Sequence, residues 1–102
     1  MKKISLKQQQ KNKILQVIKN ELLEEGKYCR ICHKNHSVLQ LMHILPKSIY
    51  PEYYTERWNL TLGCPVCHSK FDDDISFRRK QNKLLNQILE KDEVSAKKYF
   101  RV

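Results

Sequence analysis

Four cysteines occur as two Cys-x-x-Cys pairs, Cys29/Cys32 and Cys64/Cys67, and the second pair runs directly into His68. Two thiolates separated by two residues point both sulfurs at one ion, and two such pairs complete a tetrahedral zinc site with no open position. Structural zinc is the preferred reading; two disulfides or a redox Cys-x-x-Cys pair are the alternatives. With the zinc shell closed, chemistry falls to other residues: His43, Asn59, His68 and Asp72. Four apart, His68 and Asp72 share one helical face and can hold a single cation between them. A histidine at a strand end facing that ion could take a proton from water, and Asn59 could fix the imidazole by hydrogen bonding. Such a set suits phosphodiester hydrolysis, in which the ion polarises the phosphate and stabilises the leaving oxygen. His33 and His36 are expected in solvated loop positions, because four thiolates already fill the zinc shell.

Three zones position these residues. The stretch 5–25 predicts an N-terminal helix, with Ile14, Ile18 and Leu22 at four-residue steps, Leu15 widening the stripe, and Gly26 as the stop. In the zinc-centred middle, 28–74, residues 38–43 predict a strand with Val38, Gln40 and Met42 on one face and Leu39, Leu41 and His43 on the other. A long irregular loop from Pro46 to Trp58 follows, mixing Tyr50, Tyr53, Tyr54 and Trp58 with Lys47 and Arg57. Its aromatics could stack on unpaired bases or pack the loop against the sheet, and for Trp58 packing is favoured. Residues 59–63 predict a second strand, with a tight turn at Gly63, and a short helix starts at Pro65. Asp73 or Asp74 caps a last helix over 75–91, with Leu84, Leu85, Ile88 and Leu89 buried and Arg78, Arg79, Lys80 and Lys83 exposed. The tail, 92–102, adds another turn or lies loose.

A chain of 102 residues is one domain, and small enough that a metal cross-link would substitute for missing core. No signal-peptide pattern opens the sequence and no apolar run approaches bilayer length, so a cytoplasmic protein without membrane contact is expected. Lys and Arg number 20 against 11 Asp and Glu, a formal net charge of +9, with a pI near 9.5. That balance favours a polyanionic partner, nucleic acid before others. Lys47, Arg57, Arg78, Arg79 and Lys80 are the candidate phosphate contacts, and the basic opening Met1-Lys2-Lys3 and the 7–13 stretch could add to them.

The segment Leu41-Met-His43-Ile-Leu-Pro46-Lys47-Ser48, followed by Trp58-Asn59-Leu-Thr-Leu-Gly-Cys64-Pro-Val-Cys67-His68, resembles the HNH endonucleases. It looks most like their small phage-type members with two Cys-x-x-Cys knuckles, over roughly residues 28–74. The resemblance implies an α+β fold, a small ββα-metal, treble-clef-like zinc finger, here flanked by N- and C-terminal helices. It also implies metal-dependent hydrolysis of double-stranded DNA that leaves 5′-phosphate and 3′-hydroxyl ends. His43 matches the general base, Asn59 the orienting asparagine, His68 and Asp72 the ligands of a catalytic Mg2+, Mn2+ or Zn2+, and the four cysteines the structural zinc. Many members carry His or Asp immediately before the base as a further ligand; here Met42 stands there, read as core packing. The alternative is a zinc finger that binds nucleic acid without cutting it.

Overall fold

The computed structural model describes residues 5–102; the basic opening residues Met1 to Lys3 lie outside the described residues. Helix α1 (Leu6–Glu25) begins where the Ser5 hydroxyl accepts a hydrogen bond from the Gln8 N–H, satisfying one of the free amides of the first turn. It stops at Gly26, whose backbone is extended; a Cβ there would come within 2.5 Å of the Tyr28 ring. Arg30 finishes the helix end by donating to the carbonyls of Leu22, Gly26 and Tyr28 while its guanidinium lies 4.1 Å over the Tyr28 ring.

Strands β1 (Gln40–His43) and β2 (Leu60–Gly63) form an antiparallel pair, with Gln40 opposite Gly63, Leu41 opposite Leu62, Met42 opposite Thr61 and His43 opposite Leu60. β1 is two residues shorter than the predicted 38–43, because β2 has no residues left to pair with 38 and 39 before the chain turns into Cys64. The alternation itself is as predicted. Leu41, Leu60 and Leu62 pack under Ile18 and Leu22 of α1, while fully buried Met42 faces the opposite core. Ile14 departs from the predicted stripe and is 45% exposed. A helix of 20 residues runs about 30 Å and overhangs a sheet only four residues long.

The 44–59 connection is ordered by two short 3₁₀ turns, Pro51–Tyr53 and Arg57–Asn59, so Asn59 closes a turn rather than opening β2. Tyr50 stacks on Tyr53, Tyr53 meets Trp58 edge to face, and all three pack against the main core. Gly63 is not at a tight turn: it is the last residue of β2, and a Cβ there would meet the Met42 sulfur at 2.5 Å.

Helix α2 (Pro65–Asp73) starts with proline at its first position and Cys64 as cap. Asp74 then caps α3 (Ile75–Arg79) by accepting from the Phe77 N–H. The predicted single helix over 75–91 is two helices, α3 and α4 (Asn82–Leu89), and the tail forms α5 (Glu93–Phe100). The break falls in the polar run 78–83, where no apolar residue commits the chain to a continuous helical face. Arg78 drives it from tertiary structure. Its side chain is buried, donates to the carbonyls of Phe71, Asp72 and Tyr99, and lies 3.9 Å over the Tyr99 ring. α5 is capped by Asp92 and buries Ala96 and Phe100 against Phe71, Leu84 and Ile88. Burying an aromatic such as Phe100 contributes roughly 2–3 kcal/mol. The architecture among the described residues is a small mixed α+β fold of five helices and a two-stranded sheet with the cysteines at their junction. Among the described residues no helix is long and apolar enough to cross a membrane.

Candidate functional site

The two cysteine pairs converge. All four Sγ atoms lie within 4.8 Å of one another, compatible with the edges of a tetrahedron of roughly 2.3 Å Zn–S bonds. The sulfurs are free thiols. Each knuckle turns main-chain amides onto its first sulfur: Ile31 and Cys32 N–H toward Cys29, Cys67 N–H toward Cys64. Burial pushes the Cys29 thiol up, but main-chain hydrogen bonds from Cys32, Cys64 and Ile31 outweigh it and bring the group below its usual value. Burial, reinforced by the neighbouring sulfurs, pushes Cys67 far up. Four converging thiols cannot all ionise without a cation among them, and a cation-binding cluster is what these residues fit. His36 is exposed as predicted, and its Nε2 lies 3.2 Å from the Cys32 sulfur. His33 is exposed as predicted but has a left-handed backbone, φ 61°, closing the first knuckle.

His43 ends β1 and is half-buried. Its Nε2 donates to the Tyr54 carbonyl at 2.8 Å, and its ring stacks on the Tyr54 ring at 4.9 Å and 10°. A carbonyl oxygen only accepts, so the ring proton sits on Nε2 and the neutral imidazole keeps its lone pair on Nδ1. Burial lowers the pKa below 6.5, with the positive charges of His68 and Lys47 acting in the same direction, against the Tyr54 hydrogen bond and Asp72. His43 is therefore a neutral base with one free nitrogen near pH 7.

Asn59 does not touch the imidazole, contrary to the expectation from sequence. Fully buried, it accepts from the Leu45 N–H at 2.8 Å and donates to the carbonyls of Leu45 (3.0 Å) and Tyr53 (3.3 Å). It pins both ends of the loop whose next residue, Tyr54, supplies the carbonyl to His43. Asn59 thus bears on the His43 ring only through the loop it holds.

On α2, His68 and Asp72 are brought together as predicted, with Nε2 3.3 Å from Oδ2. Gln40 of β1 accepts from the His68 Nδ1–H at 2.8 Å. That bond fixes the ring with Nε2 toward the Asp72 carboxylate, the geometry in which a neighbouring side chain orients a histidine for metal binding. The separation approximates the roughly 3 Å between adjacent ligands on an ion with bonds near 2.1 Å. Burial pushes Asp72 up, opposed by the charges of His68 and Arg78. No signal in the sequence picked out Gln40. Met42 is fully buried in the core with its sulfur against Gly63. Among the described residues the cysteines are the sole group of three or more acidic, thiol or imidazole ligands converging on one point. His43 and Asp72 act on one another only through charge.

Of the five predicted phosphate contacts, Arg78 is buried and Arg57 is paired with carboxylates. Lys47 lies 4.2 Å over the Tyr54 ring, next to His43. Arg57 is held by Glu21 and Glu25 of α1. Arg78, predicted exposed, is buried with its donors used by three carbonyls; it is a structural residue. Arg79 and Lys80 are exposed at the end of α3. In comparisons with known proteins, the chain matches no family model, no curated protein and no solved structure.

Proposed function

We propose that this chain is a metal-dependent endonuclease of the HNH type that hydrolyses DNA phosphodiester bonds, built on a treble-clef-like finger with zinc on Cys29, Cys32, Cys64 and Cys67. The observation that carries the reading is the state of His43. Its ring proton is committed to a main-chain carbonyl, its free nitrogen is a neutral base, and it stands in the field of a His68–Asp72 pair set at ligand spacing. In this reading Nδ1 of His43 takes a proton from water as the water oxygen attacks phosphorus. The P–O3′ bond breaks, the 5′ side keeps the phosphate, and the 3′ oxygen leaves as a hydroxyl after gaining a proton from solvent. A divalent ion held by His68 and Asp72 would supply Lewis-acid stabilisation of the charge that develops on the leaving oxygen. Gln40 holds the His68 ring for that role, and Asn59 holds the loop that aligns His43. Duplex DNA is the preferred partner because a net charge of +9 matches the phosphate backbone.

A second reading, a zinc finger that binds nucleic acid and does not cut it, is favoured by one observation: Met42 is in the core, leaving two side-chain ligands for the second ion. A plasmid-nicking assay with Mg2+, Mn2+ and Zn2+ separates the two. The nuclease reading expects metal-dependent cleavage by the wild type and its loss by about 10²–10⁴-fold in His43→Ala, with DNA binding retained. Absence of cleavage with every metal, from protein that carries zinc and binds DNA, would leave the binding module standing.

A further inference from the structure

We propose that α1 is part of the nucleic-acid grip, with Lys11 joining Lys47 at Tyr54 to hold the duplex phosphate backbone beside His43. The identity of the anion rests on the nuclease reading above; the grouping of the cations does not. Lys11 is on the N-terminal helix and Lys47 on the loop after β1, yet both ammoniums lie over the same ring, 5.9 Å and 4.2 Å from its centroid. That ring is the one stacked on His43, and the carbonyl of the same residue takes the His43 proton. Tyr54 thus joins two cations to the candidate base. The residues before β1 that resemble a nuclease finger do not include α1, so nothing in that resemblance assigns Lys11 a role.

The chemistry of the pair points to an anion. Among the described residues neither lysine has a carboxylate partner, whereas Arg57 is paired with Glu21 and Glu25 and Lys97 with Glu93. An aromatic face holds an ammonium in place without neutralising it, so the full charge remains for a ligand. Two such charges repel each other, and a phosphodiester entering between them relieves that repulsion. Lys7, one turn earlier on the same side of α1, continues the row toward the helix N-terminus. Contacts of this kind carry no base preference; they fix where the strand lies relative to the base at Nδ1.

The test measures binding of a linear duplex of fixed sequence without added divalent ion, across salt concentrations, and cleavage kinetics with Mn2+. Lys11→Gln is expected to weaken binding and reduce the slope of log K against log salt by about 1, and Lys11→Gln with Lys47→Gln by about 2. Cleavage by Lys11→Gln should show a raised KM with kcat nearly unchanged, and Lys11→Arg should restore both. Lys98→Gln, exposed on α5, is the reference surface lysine. Zinc content and thermal unfolding equal to wild type ensure that Lys11→Gln reports on binding. A Lys11→Gln salt slope indistinguishable from that of Lys98→Gln, or a fall in kcat at constant KM, overturns the grip even where the wild type cuts DNA. A wild type that binds with the expected lysine slopes and never cuts supports the grip while removing the nuclease reading.

Discussion

At the scale of single residues, the protonation state of His43 decides whether the site can act as a base. Burial is the largest influence, and it holds the imidazole below 6.5. In the nuclease reading the acid limb of kcat/KM should therefore have its midpoint under pH 6.5. Lys47→Met removes a cation that depresses the group, so a pH profile should show that midpoint moving upward. The same shift couples to stability. Between the depressed value and 6.5 the unfolded chain binds the proton more readily. The His43 contribution is thus fully present above pH 6.5 and lost as pH falls through 6.5 toward the folded value. Asn59 works without touching the imidazole. Asn59→Ala strands a buried N–H and two buried carbonyls, and urea unfolding should show a loss of about 3 kcal/mol. Cleavage should fall as well, because Tyr54 no longer aligns His43.

At the scale of elements, the hairpin and α2 are fitted to one another through Met42 and Gly63. A methyl group on Gly63 would sit 2.5 Å from the Met42 sulfur, and Met42 is too deeply buried to swing away. Gly63→Ala should cost about 1–3 kcal/mol from overpacking. Met42→Ala opens a cavity at a cost of about 2–5 kcal/mol. Unfolding of the double variant should be less destabilised than the sum of the two, since each change relieves the other. Strict additivity would mean that the close approach is not what requires glycine. The strand alternation leaves His43 half-buried against Tyr54 and turns its neighbour Met42 into the core.

At the scale of the whole molecule, three small clusters share the work of one core. α1 packs on β2, the C-terminal helices pack on Phe71 and Met42, and the cysteines lie where the knuckles meet Ile31, Leu39 and Phe77. None is large, so ligation at the junction should hold the parts in register. Stripping zinc with a chelator is expected to abolish the cooperative thermal transition followed by circular dichroism, and returning zinc should restore it. A melt unchanged by chelation would count against a structural ion.

The sequence alone determined what depends on spacing along the chain: the two converging cysteine pairs, the helical step from His68 to Asp72, the alternation of β1 and the start of α2 at Pro65. These are local because one turn or one pleat sets them. Only the tertiary structure decided the rest. Arg78 looked like a surface cation until Tyr99, from a tail without evident structure, came back to cover it. The tail itself was partly legible, since Asp92 can cap and Ala96 and Phe100 are one turn apart. Gln40 at His68, Asn59 at Leu45 and Tyr53, and Lys11 at Tyr54 are partnerships across 28, 14, 6 and 43 intervening steps of chain. No periodicity encodes such pairs, because side chains far apart in sequence meet only after the apolar faces have chosen their partners.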